Sequence, residues 1–319
     1  MFINIFFLLV MMAVSVLFGW LTRQAWKTKN AFSKWGGSIL GGLLSALIGI
    51  ISIVAMIGLV KATTPRTAPV PDLKVAGTPE QIQRGKHVAD AFCTSCHSVT
   101  NELPLTGGID LGKDFPMPLG AFVSSNLTPA GPLKDWSDGE IFRAIRNGVD
   151  PDGRWLFVMS NFRGRNLSDE DLQALIAYLR NQPAVVNETP NPPDQPSVLG
   201  LILLGAGMLP AGQPPITDVI SAPPKGSTVE YGEYILNYQD CKDCHGEDLL
   251  GGKEGQLAPI GPNLKVVKTW TQEQFINTLR TGVNPMEYAL DPARMPWKSI
   301  GRMDDEELTA IYLYLSGMP

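Results

Sequence analysis

The first sixty residues of this 319-residue chain contain no aspartate or glutamate. Their only charges are Arg23, Lys27, Lys29 and Lys34, which sit together between two apolar runs. Phe2 to Leu21 and Gly37 to Val60 each reach the roughly 20 residues needed to cross a hydrocarbon core. The pattern predicts a hairpin of two transmembrane helices over 1–62. A basic loop of this kind stays in the cytoplasm. The N-terminus and everything after Lys61 are therefore expected on the extracytoplasmic side of the cell (inner) membrane, with the lipid bilayer as one partner. The first run lacks a basic n-region and a small-x-small cleavage site, which favours an uncleaved anchor over a signal peptide. Trp20, Trp26 and Trp35 fit an interfacial belt. Gly37/Gly41 and Gly42/Ala46 would let another helix, the first span or a partner subunit, approach closely.

Beyond the hairpin, strand signals are scarce and histidines number three. No acid–base constellation, phosphate loop or nucleophile motif is present, which argues against a catalytic centre. With the four hairpin charges set aside, 22 basic residues face 31 acidic ones, a formal −9. A charge of that sign excludes nucleic acid as an expected partner.

The four cysteines fall in two copies of one pattern, Cys93-Thr-Ser-Cys96-His97 and Cys241-Lys-Asp-Cys244-His245. The surroundings repeat as well. A helical stretch precedes each motif, Thr78 to Phe92 and Val229 to Asp240, carrying Arg84-Gly85-Lys86 and Tyr231-Gly232-Glu233. The run from Trp136 to Asp150 matches that from Trp270 to Asn284 without a gap, each an amphipathic helix stopped by glycine, Gly148 or Gly282. The closing helices align Leu167 on Met303, with Ser168 and Asp304 as expected N-caps. Each unit reads as three helices with long Gly/Pro-rich loops. The fold class is all-α, in tandem: repeat one at 77–186, a Pro-rich linker at 187–227, repeat two at 228–319. Within the linker, Val198 to Leu209 is apolar but too short to span a membrane. It is expected to pack between the repeats or dock on a partner.

Cys-x-x-Cys-His is the attachment signature of c-type haem. On a helix, residues three and four apart share a face, so both thiols and the imidazole can meet one haem. Two covalently bound haem c groups are expected, the first on Cys93 and Cys96 with His97, the second on Cys241 and Cys244 with His245. A four-cysteine zinc site, a dithiol redox pair or two disulfides explain the cysteines but leave a histidine after each pair without a role. Methionine is the expected sixth ligand. In the register of the closing helices Met159 falls on Met295. Met117 is a rival in repeat one, and His87 could compete for the first iron. Arg154, Arg163 and Arg165 near Met159 are expected at the solvated surface.

Both repeats resemble class I cytochromes c. The first is especially similar to the cytochrome c subunits of membrane-bound alcohol and gluconate dehydrogenases, through Ser124-Ser-Asn-Leu-Thr-Pro129, Trp136-Ser-Asp-Gly139, Asn147-Gly-Val-Asp-Pro-Asp-Gly-Arg154 and Leu167-Ser-Asp-Glu-Asp-Leu172. The resemblance implies two class I cytochrome domains. It assigns Cys93, Cys96, Cys241 and Cys244 as haem anchors, His97 and His245 as proximal ligands, and Met159 and Met295 as distal ligands. The implied function is single-electron transfer between extracytoplasmic donor and acceptor proteins. The chain would be a non-catalytic subunit of a membrane-embedded respiratory or photosynthetic complex. Alternatives are the electron outlet of a periplasmic dehydrogenase, or a dihaem enzyme such as a peroxidase.

Overall fold

A computed structural model describes residues 2–318. The chain is mainly helical and divides into two compact units. One unit gathers the segment ending at Pro65 with Met117–Phe122 and Asp194–Ala211, and the other holds both Cys-x-x-Cys-His repeats.

The first unit is built on α1 (Phe2–Trp26) and α2 (Ala31–Thr63), of 25 and 33 residues. Both are long and apolar enough to cross a membrane. Asn30 starts α2 by accepting from the Phe32 and Ser33 amides. The small residues serve the contact between these two helices. Gly37 lies against Ala25 and Gly41 against Thr22, while Ser15 and Ser45 each donate to the other's main-chain carbonyl at 2.8 Å. At the loop, Trp26 and Trp35 meet edge to face with Lys34 over the Trp26 ring. The apolar linker segment forms α8 (Val198–Gly205), which packs on α2 rather than between the repeats. A short antiparallel pair, β1 (Gly120–Ala121) with β2 (Gln195–Pro196), belongs to the same unit.

The second unit contains the duplicated parts. In repeat one they are α3 (Pro79–Val88), a π-helical turn Ala89–Cys93, α4 (Thr94–His97), α5 (Asp138–Asn147), α6 (Phe157–Asn161) and α7 (Asp169–Asn181). In repeat two they are α9 (Val229–Tyr238), α10 (Cys241–His245), α11 (Gln272–Thr281), α12 (Trp297–Ile300) and α13 (Asp305–Gly317).

Local chemistry explains the match. Ser137 and Thr271 start α5 and α11 with complete capping boxes, and Gly148 and Gly282 end them in the left-handed region at φ 63° and 73°. Ser168 and Asp304 cap the closing helices. The first helix of each repeat crosses its last at a glycine: a Cβ on Gly85 would overlap the Ala174 carbonyl, and one on Gly232 the Ala310 carbonyl. A single buried apolar cluster runs through both repeats, from Val88 and Phe92 to Leu308 and Leu315. The two repeats therefore share one merged core.

Candidate haem-attachment sites

Each Cys-x-x-Cys-His motif lies on a short helix at the end of its repeat's first helix. In repeat one, α3 passes through the π-helical turn directly into α4, so Cys93, Cys96 and His97 continue one helical run. Such turns inside α-helices often mark functional positions. In repeat two the chain breaks at Gln239 (ψ 150°) and restarts as α10.

The two histidines are held alike. His97 Nδ1 lies 3.0 Å from the Ser125 carbonyl oxygen, and His245 Nδ1 lies 2.7 Å from that of Pro262. A carbonyl accepts only from an N–H, so Nδ1 carries the proton and Nε2 keeps a free lone pair. Burial lowers the pKa of both rings, which favours the neutral, ligating form.

The cysteines form no disulfide. Burial pushes the Cys93, Cys96 and Cys241 thiols up to about 12 and Cys244 to about 11. A dithiol redox centre needs the opposite shift, whereas a thioether has no charge to bury. Nor do the thiols make a zinc site. Among the described residues, the one group of three or more such ligand atoms within 4.8 Å of each other is His87, Asp304 and Glu307, and Lys225 Nζ already pairs with both carboxylates there. Neutral imidazoles and half-buried thiols on one helical run are the donor set of covalent haem, and the residues fit that group.

Each candidate methionine follows a matching return of the chain. After each αL glycine the chain folds back: the Leu156 amide donates to the Gly148 carbonyl at 2.9 Å, and Leu290 to Gly282 at 2.7 Å. Met159 follows on α6, and Met295 precedes α12; both are half-buried. Met117 falls in the hairpin's unit and is 38% exposed. His87 is engaged elsewhere, with Nε2 2.6 Å from Glu307 Oε2.

A device not read from the sequence holds the stretch between each methionine and the closing helix. Arg146 of α5 donates to the Arg165 carbonyl at 2.5 Å, the Leu167 carbonyl at 2.6 Å and Asp169 Oδ1 at 2.6 Å. Its counterpart Arg280 of α11 donates to the Gly301 carbonyl and to Asp305 Oδ1 at 2.9 Å. Both arginines stand two residues before the terminating glycine, and that repeated placement was the available signal.

The repeats meet across a reciprocal interface. Tyr234 of α9 donates to Asp171 Oδ2 at 2.5 Å, while His87 of α3, at the equivalent position, meets Glu307, the equivalent acid. Arg163, just after Met159, donates to Asp243 at 2.6 Å, a residue inside the second motif. Arg302, after Met295, donates to Thr94 at 2.9 Å inside the first motif. The Phe92 and Tyr238 rings, next to the two motifs, meet edge to face with centroids 5.8 Å apart. Asp240 adds electrostatically to the raised pKa of all four thiols, and burial holds its own carboxyl well above the ordinary range. The arginines expected at the surface are instead structural. Arg165 is 4% exposed, Arg163 bridges the repeats, and Arg154 pairs with Asp150 at 2.8 Å.

Two such motif helices, one in each repeat, define an electron-transfer cytochrome c. The chain belongs to the family described as cytochrome C oxidase, cbb3-type, subunit III, whose model matches residues 80–179 and 228–315. It is similar to a nicotinate dehydrogenase subunit of Pseudomonas putida, 27% identical over 90% of this chain and 25% of that protein. It is likewise similar to the gluconate 2-dehydrogenase cytochrome c subunit of Pantoea cypripedii, 25% identical over 74% of this chain and 59% of the relative. A diheme cytochrome c-type protein of Cereibacter sphaeroides is 33% identical over 34% of this chain and 37% of its own length. The chain thus spans between a quarter and three fifths of the length of these curated relatives.

Proposed function

We propose that this chain is a membrane-anchored dihaem electron carrier. Cys93, Cys96, His97 and Met159 would hold one haem c, and Cys241, Cys244, His245 and Met295 the other. The observation that carries the proposal is the matched pair of imidazoles, each fixed through Nδ1 on a main-chain carbonyl and free at Nε2, on helices that also bear both thiols.

When bound, the group supplies reversible one-electron chemistry at its iron, with methionine favouring a higher potential. The protein's part is to hold and enclose. Arg146 and Arg280 fix the stretches between the methionines and the closing helices. The merged core keeps the two sites in one unit, so one can accept and the other deliver. With His97 and Met159 holding one haem and His245 and Met295 the other, neither site would keep room for a substrate, and the chain would act as carrier rather than enzyme. The hairpin keeps that carrier near membrane partners, which raises encounter frequency by effective concentration. The basic loop after α1 supports an extracytoplasmic position for both haem-binding repeats.

The partners on this reading are subunits of a membrane-embedded respiratory or photosynthetic complex. A second reading, the electron outlet of a periplasmic dehydrogenase, is favoured by the names of relatives that match 74–90% of the chain. Gentle detergent extraction with haem-stained purification decides between them by the polypeptides that co-purify. For the ligands, Met159→Leu and Met295→Leu are each expected to change the visible spectrum and lower the potential of one haem alone. An unchanged spectrum in either variant overturns that assignment.

A further inference from the structure

The linker helix α8 is apolar on every side, and no charged residue occurs from Gln195 to Thr217. A short helix of this kind in the Pro-rich joint between two soluble repeats asks for an apolar environment. One side has it. Gly200, Leu201 and Leu204 are buried, and Leu201 joins Leu8, Ala55 and Leu59 in a cluster on the hairpin. The crossing is at backbone distance: a Cβ on Gly58 would overlap the Leu201 carbonyl, and one on Gly205 the Val54 carbonyl. Small residues allow this approach, as between helices within membranes.

The level of that crossing is set by α2 itself. Lys61, the basic residue at its C-terminal end, donates through Nζ to the Leu204 carbonyl at 3.1 Å and the Gly205 carbonyl at 3.4 Å, capping the last turn of α8. Gly58 and Val54 precede Lys61 by three and seven residues, about 4.5 and 10 Å along a helix rising 1.5 Å per residue. A lysine at the end of a span marks the headgroup boundary, so α8 crosses α2 below it. Interfacial helices seat at this depth, about 5–10 Å into the boundary.

Its other side is less covered. Leu199 is 39% exposed, and Leu203, one turn later, is half-buried. On α2, over the same stretch as the crossing, Ile53, Ile57 and Val60 are turned outward as well, 61%, 44% and 55% exposed. The first turn of α8 is tied down: Asn4 of α1 donates to the Pro196 carbonyl at 2.5 Å, and Gly200 packs on the Leu119 carbonyl.

We infer that α8 is a third membrane-seated element, an interfacial helix whose Leu199/Leu203 face lies against lipid acyl chains at the Lys61 end of the hairpin. The anchor then holds the chain at two points: the end of α2 and the joint between the repeats.

The test uses the full chain with both haems, in nanodiscs of phosphatidylcholine with and without brominated acyl chains. An environment-sensitive fluorophore is attached at Leu199→Cys or Leu203→Cys, with Leu43→Cys in the middle of α2 as the lipid reference and Glu254→Cys as the aqueous one. Retained haem absorbance certifies that each variant is folded. Quenching by brominated lipid at 199 and 203, at least half that at 43 and several-fold above that at 254, is expected. Quenching at 43 with none at 199 and 203 overturns the inference. If those two labels are then open to aqueous iodide, the helix faces water; if they are shielded from both quenchers, it faces protein.

Discussion

Arg146 and Arg280 do the same job in matching helices, yet Arg146 is 1% exposed while the Arg280 side chain is 36% exposed and its partner Asp305 80%. The interface shows the same imbalance. Asp171 is bonded by Tyr234 and also by Arg84, whereas its counterpart Glu307 is met by His87 and by Lys225 at 3.8 Å. Duplication copied the plan of the haem-binding repeat. Burial then fixed which copy depends most on each part. Repeat one has its clamp sealed under the linker segment around Ile220, whose amide also reaches Asp169, and repeat two has its clamp at the surface.

The largest effect should come from removing one attachment site. The Cys93→Ser/Cys96→Ser chain is expected to carry one covalent haem by intact mass with the second retained, and Cys241→Ser/Cys244→Ser the reverse. Loss of both haems from either variant would show that the merged core makes the repeats a single folding unit.

Next comes the clamp. Arg146→Ala removes a buried donor from two carbonyls and from the partly exposed Asp169 carboxylate, and is expected to cost about 3 kcal/mol. Arg280→Ala, in solvent, should cost about 1 kcal/mol. Denaturant unfolding followed by haem absorbance measures both, and equal losses would mean that burial does not set the difference.

At the interface, Tyr234→Phe removes a buried hydrogen bond to a charged acid, worth about 1.5–3 kcal/mol, while His87→Gln should cost under about 1 kcal/mol near neutral pH. The smallest effect is the most specific. The hydrogen bond that His87 donates to Glu307 raises the pKa of His87, with burial opposing it, the Glu307 and Asp304 charges adding and Lys225 subtracting. A pKa higher in the folded than in the unfolded chain means that the stabilisation is complete below the unfolded value, near 6.5. It fades as pH rises through the folded value. Stability of the parent relative to His87→Gln should therefore fall on going from pH 6 to pH 9, and a flat difference would mean that folding leaves the His87 pKa where it is in the unfolded chain.

Much of this was legible in the chain. The hairpin, the two motifs, the capping residues Ser168 and Asp304 and the glycine stops Gly148 and Gly282 are local signals, and each acts within a few residues of itself. What was hidden depends on contacts distant in sequence. Arg163 reads as a surface cation until Asp243, eighty residues on, is seen beside it. His87 reads as a rival ligand for the first iron until Glu307 is placed against it, 220 residues away. The apolar linker segment was visible but its neighbour was not, because two glycines on different elements decide where it lies. Arg146 and Arg280 were visible as a repeated letter, but a repeated letter shows no direction of hydrogen bonding.

The central claim is that both irons are closed by protein ligands, so that the chain carries electrons without binding substrate. The direct measurement is exposure of the fully reduced, purified holoprotein to carbon monoxide while the Soret and visible bands are recorded. No spectral change at either haem is predicted. A carbon monoxide adduct at one haem would reveal an open axial position, contradict the carrier reading, and identify that repeat as a site of bond chemistry.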